Sequence, residues 1–169
     1  MNSNIQFTPH FELREFVVSQ TARDHGLDNT PPIEAVENLR ALCVHTLEPL
    51  REALGLPIVI TSGYRTRELN RLLVCHSNKS QHMSGEAADF HVCWNGPKED
   101  APSRRELLIK AFRQIITDDS IAFDQCIIYP SFIHVSYVRS GRKNRSKLTM
   151  AFANGSYAAL TRAQALALE

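Results

Sequence analysis

No CxxC pair occurs in this chain. Its four cysteines, Cys43, Cys75, Cys93 and Cys126, are scattered, which excludes a zinc ribbon and a disulfide framework. They read as reduced, mostly buried thiols, since free cysteine packs as a small hydrophobe. No apolar run approaches the roughly 18 residues of a membrane span, and Met1-Asn2-Ser3-Asn4-Ile5-Gln6 has no basic region leading into an apolar stretch. The expectation is a soluble product made in the cytoplasm, with no membrane partner. Charge of one sign is also lacking: the net charge of +1 gives no whole-molecule pull towards nucleic acid. Repeats, low-complexity tracts and interdomain linkers are absent as well. What is there is ordinary globular composition, 43% hydrophobic and 22% charged over 169 residues, enough for one domain with a sizeable core.

Leu13, Phe16 and Val17 share a helical face, which predicts a short first helix stopping at Gly26. Thr30 before Pro31 and Pro32 reads as an N-cap, and Ile33, Val36, Leu39, Cys43, Leu47, Leu50 and Leu54 follow at spacings of three and four. That is the main core helix, ending near Gly55 and bent or broken by Pro49. Pro57 to Thr61 is β-branched and compact and reads as a buried strand leading into Ser62-Gly63-Tyr64-Arg65. A short helix over Thr66 to Leu73, a polar loop from Cys75 to Gln81 and a strand over Ala87 to Cys93 follow. Ser103 and Glu106 form a capping box for a helix carrying Leu107, Leu108, Ala111, Phe112 and Ile115. Phe123 to Tyr129 and Phe132 to Val138 read as an antiparallel hairpin through Pro130-Ser131. Ser140-Gly141 turns into a basic loop over Arg142 to Lys147, Leu148 to Phe152 reads as an edge strand, and a weak helix begins at Thr161. Without interleaved aromatics the basic loop reads as a solvated tip. The order of elements predicts an α+β domain, an antiparallel sheet with helices packed on one side. It comprises a helical part over about 11–55, a core over about 57–138 and a C-terminal hairpin and tail over about 139–169.

The chemistry gathers around Ser80-Gln81-His82-Met83-Ser84-Gly85-Glu86-Ala87-Ala88-Asp89, where an imidazole and a carboxylate stand seven residues apart across a glycine turn. A third candidate, His134, lies in the alternating stretch Phe132-Ile133-His134-Val135-Ser136-Tyr137. Two His and one Asp leave a fourth tetrahedral position open, as in a catalytic rather than a structural zinc site.

Read together, Ser62-Gly63-Tyr64-Arg65, Ser80-x-His82-x-x-Gly85-x-Ala87-x-Asp89 and Phe132-Ile133-His134-Val135-Ser136 resemble the zinc D-Ala-D-Ala carboxypeptidase family. That family includes the vancomycin-resistance D-Ala-D-Ala dipeptidases and phage L-Ala-D-Glu endolysins, and it shares its fold with the hedgehog signalling domain. The similarity runs from about Phe11 to Tyr137 and is nearest to the small bacterial and phage branch. It implies that His82, Asp89 and His134 hold one Zn2+ per chain. Arg65 matches the arginine that faces the substrate carbonyl or the developing oxyanion, the alternative being a surface ion pair. Ser80 matches a serine that orients the site or the peptide, the alternative being a turn residue. The implied activity is metal-assisted hydrolysis of D-amino-acid-containing stem peptides of peptidoglycan, as a D,D-carboxypeptidase or endopeptidase. Such an enzyme without a leader would suit a phage lysin released through a membrane lesion, or a cytoplasmic dipeptidase.

One departure stands out. Family enzymes place a general-base Glu or Asp three to six residues before the last histidine ligand, and Ile128, Tyr129, Pro130 and Ser131 offer none. Asp124 is the first stand-in, as a base at the start of the hairpin strand. Glu86 is a second, although strand alternation would turn it from Asp89. Tyr129 is a third, contributing a phenol that binds substrate or stabilises charge. His91 could orient a ligand, His76 reads as an exposed residue of the polar loop, and His10, His25 and His45 have no visible partner. The opposing reading is a zinc-bound but catalytically silent domain that binds wall peptide or a protein.

Overall fold

The computed structural model describes residues 5–73, 77–139 and 141–169. The expectations for Cys75, His76 and the turn residue Ser140 lie outside those residues. None of the described helices is long and apolar enough to cross a membrane.

Two short strands, β1 (Gln6–Thr8) and β2 (Phe11–Glu12), pair antiparallel ahead of α1 (Leu13–Val17) and α2 (Gln20–Asp24). The single first helix expected from periodicity is thus two. Ser19 accepts from Ala22 N–H and caps the second, which ends close to the left-handed Gly26. The core helix begins at Ile33 with Pro32 as N-cap, not Thr30. Thr30 is occupied elsewhere, its hydroxyl and N–H both donating to Asp28, and a side chain held there cannot cap a helix.

The break announced by Pro49 is real. Helix α3 (Ile33–Leu42) passes into a π-helical segment, Cys43–Leu47, before α4 (Glu48–Leu54) ends at left-handed Gly55. Pro49 has no N–H to offer the carbonyl four residues back. That carbonyl, of His45, accepts from Ala122 N–H at 3.0 Å instead. Leu39, Leu42, Leu47 and Leu50 remain fully buried along this run.

The remaining elements are β3 (Ile58–Ser62), α5 (Arg67–Leu72), β4 (Ala87–Val92), α6 (Arg104–Thr117), β5 (Gln125–Ile128), β6 (Ile133–Ser136), β7 (Lys147–Ala151), β8 (Tyr157–Leu160) and α7 (Arg162–Leu166). They build a six-stranded sheet in the order β3-β4-β6-β5-β7-β8. Four of its pairings are antiparallel and one, β5 with β7, is parallel, so the sheet is mixed. The expected edge strand over Leu148 to Phe152 is an interior strand, because β8 covers it. Phe90, Ile133, Val135, Cys126, Ile128 and Leu148 turn to the core, joined by Phe112, Leu108 and Ile115 of α6. Helices on one side leave the other face of the sheet for the site, and the α+β class stands.

Candidate metal centre

Strand register creates the site. Asp89 of β4 and His134 of β6 lie directly opposite one another on the face turned away from the core. His82 reaches them from a 3-10 turn, Gln81–Ser84, between α5 and β4. Gly85 ends that turn at φ 73°, and a Cβ there would lie 2.4 Å from the carbonyl oxygen of Ala35. Only glycine meets both demands. Asn38, from α3, donates to the Ser84 carbonyl at 2.9 Å and ties the turn to the core helix.

The turn after β3 is held as tightly. A Cβ on Gly63 would fall 2.5 Å from the Phe16 carbonyl oxygen, and Tyr64 N–H donates to that oxygen at 2.7 Å. Asn29 donates to the carbonyls of Val17 and Tyr64 and accepts from Thr66 N–H. The Gly63 carbonyl is thereby fixed 2.7 Å from His82 Nδ1. A carbonyl only accepts, so Nδ1 carries the proton and Nε2 presents a lone pair.

That lone pair faces His134 Nδ1 at 3.2 Å and Asp89 Oδ1 at 3.2 Å, while His134 Nδ1 and Asp89 Oδ1 are 2.8 Å apart. Three electron-rich atoms converge with at most one proton among them, an arrangement that fits a cation. Tetrahedral zinc with bonds of about 2.0–2.1 Å sets its ligand atoms roughly 3.3 Å apart, close to these spacings. His82, Asp89 and His134 are thus a cluster capable of holding a metal. Burial pushes His82 below the ordinary histidine range, against the pull of the Asp89 carboxylate. For Asp89, burial alone would raise the pKa, but the facing His82 and His134 hold it well below the usual carboxylate range. Neutral imidazole and ionised carboxylate are the forms that bind metal.

Arg65 stands beside the cluster. Its Nη2 donates to Asp89 Oδ2 at 2.9 Å and its Nε to Ser62 Oγ at 2.9 Å, so the other oxygen of the carboxylate is clamped while Oδ1 faces the histidines. Arg65, Ser80 and Tyr129 line one cavity of ≈ 370 Å³ with the cluster. Of the cavity's other lining residues, Gln125 and Tyr157 carried no signal in the sequence.

The structure does not bring Asp124 to the cluster. Gln125 and Ile127 alternate onto the cavity face and Asp124 is out of phase with them. Its buried carboxylate accepts from Arg145 N–H at 3.0 Å, Arg145 Nε at 2.9 Å, Arg145 Nη2 and Gln81 Nε2 at 3.1 Å. Burial alone would raise its pKa, but these donors hold it below the ordinary value. Glu86 also turns away and accepts from Arg142 at 3.1 Å. The basic loop, expected as a solvated tip, is therefore anchored at Arg142 and Arg145. His91 shares the face of Asp89 but lies opposite Val59, outside the cluster. Among the described residues, Asp89 is the only carboxylate lining the cavity.

An α+β domain with a His-Asp-His cluster beside an arginine turn has the build of a metal-dependent hydrolase. The model of the peptidase M15 family matches residues 9–136. The chain belongs to that family of zinc peptidases, and its His82-Asp89-His134 cluster could hold a metal ion. No curated protein sequence matches the chain.

Proposed function

We propose that this protein hydrolyses peptide bonds of peptidoglycan stem peptides, as a D,D-carboxypeptidase or endopeptidase, with one zinc held by His82, Asp89 and His134. The observation that supports it most is Arg65 paired with the outer oxygen of the same carboxylate that serves the cluster. A bound zinc supplies Lewis-acid activation of water and of the scissile carbonyl. The chain's own residues do the rest. Gly63 keeps His82 in the required tautomer and Arg65 holds the Asp89 carboxylate in orientation. Among the described residues Arg65 uses two of its five N–H donors, which leaves donors for the substrate carbonyl as negative charge grows on it. Ser80 and Tyr129 serve as binding groups for the peptide. Asp124 serves as a fold anchor rather than a base.

A second reading has its own support. With Asp89 the only carboxylate lining the cavity among the described residues, and that one engaged by Arg65 and the histidines, a domain that binds wall peptide without cutting it fits the same residues. Mass spectrometry of purified muropeptides incubated with zinc-loaded protein, beside a chelated sample, decides between them. Zinc-dependent loss of D-Ala or of a cross-link is the expected result. Unchanged muropeptides that nevertheless bind the folded, zinc-containing protein would establish the silent domain.

A further inference from the structure

Tyr157 lies beyond the segment matched by the family, on the outermost strand β8, yet it lines the cavity of the metal cluster. The sheet register explains its arrival. Ile128 of β5 pairs with Met150 of β7, which sets Tyr129 level with Ala151, and Ala151 is the partner of Tyr157. Adjacent strands are about 4.8 Å apart, so β5 and β8 are separated by roughly 10 Å. Two rings meet across that distance only over a small residue, and Ala151 is one. The rings of Tyr129 and Tyr157 are edge to face, with centroids 6.1 Å apart, and their hydroxyl oxygens are 3.2 Å apart. Phe132 stacks on Tyr129 with centroids 4.2 Å apart and planes 13° apart. Tyr129 is therefore held from two sides.

Two phenols joined by one hydrogen bond use one O–H and keep the other. Among the described residues no further protein acceptor engages either hydroxyl. Accepting from its neighbour strengthens the second phenol as a donor. Burial, with the neighbouring Tyr157 and the charge of Asp89, pushes the Tyr129 phenol above the ordinary tyrosine range.

We propose that Tyr129 and Tyr157 act as one hydrogen-bond-donating unit, completed by the C-terminal hairpin, that shares with Arg65 the oxygen of the scissile carbonyl as charge builds on it. The proposal rests on the peptidase reading. It gives the hairpin β7–β8 a part in the site and makes Ala151 the residue that lets the pair form.

The test compares wild type with Tyr157→Phe, Tyr129→Phe, the double variant and Ala151→Leu, each zinc-loaded. The readouts are zinc content, kcat and KM on muropeptide, and affinity for a phosphinate analogue of D-Ala-D-Ala, which carries a tetrahedral anionic centre. Tyr157→Phe is expected to lower kcat and phosphinate affinity about tenfold, with KM and zinc content unchanged. The double variant is expected to lose no more than the worse single one, as members of one unit do. Ala151→Leu, which parts the rings and keeps both hydroxyls, is expected to match Tyr157→Phe. Wild-type phosphinate affinity in Tyr157→Phe, or additive losses in the double variant, would overturn the proposal. If no wall peptide is cut, the peptidase reading fails and the phosphinate titration decides the proposal by itself.

Discussion

The contrast between Asp89, in strand β4, and Asp124, just before strand β5, shows how two aspartates acquire different work. Asp89 keeps one oxygen for the histidines because Arg65 takes the other. Asp124 keeps none, because Arg145 and Gln81 claim both. Asp124→Asn should therefore retain zinc and, per folded molecule, keep kcat within about twofold of wild type. It should also lose stability of about 1–3 kcal/mol, since a buried acceptor set is broken while Arg145 stays half-exposed. The depressed pKa of Asp124 fixes the pH sign. Its contribution is present above the unfolded value near 4 and is lost as pH falls through the lower folded value. Chemical denaturation from pH 7 to 2 should show wild type losing its margin over Asp124→Asn in the acid range, and a constant margin would refute the assignment. The three candidate metal ligands were legible because they sit in three motifs that, read together, resemble the family, the His82–Asp89 spacing alone being too common to single them out. The fate of Asp124 was not, because its partner sits 21 residues on in a loop whose charges read as solvated.

Elements were legible where their determinants are local. The Ser103–Glu106 capping box forms as its spacing demands, and Pro49 disrupts its helix through a missing donor. Pairing across the sheet was not legible, since nothing within Tyr157-Ala158-Ala159-Leu160 states that it will cover β7, or that β7 will run parallel to β5. The 3-10 turn carrying His82 depends on a nonlocal contact too, the approach of Gly85 to Ala35. Gly85→Ala meets both a left-handed backbone and a clash with that carbonyl, and should cost about 2–4 kcal/mol. It should also weaken zinc binding, because His82 moves with the turn. Thermal melting with a zinc titration checks both, and wild-type values in each would show that the turn does not position His82.

At the scale of the whole molecule, one face of a sheet is spent on the core and the other on chemistry. Phe90, Ile133 and Val135 are fully buried on one side, while Asp89 and His134 alternate onto the other from the same two strands. The helices from α3 to α4 and α6 fill the core side, and the turns that deliver His82 and Arg65 are pinned to it through Asn38, Phe16 and Asn29. The fold itself thus ties down the turns that carry His82 and Arg65, which predicts that removing one candidate metal ligand abolishes metal binding without unfolding the chain. The most direct measurement is zinc content per chain in wild type, His82→Ala, Asp89→Ala and His134→Ala, with circular dichroism as the check on folding. One zinc per wild-type chain and none in the folded variants is the predicted result. Stoichiometric zinc retained in those variants would contradict the account at its centre.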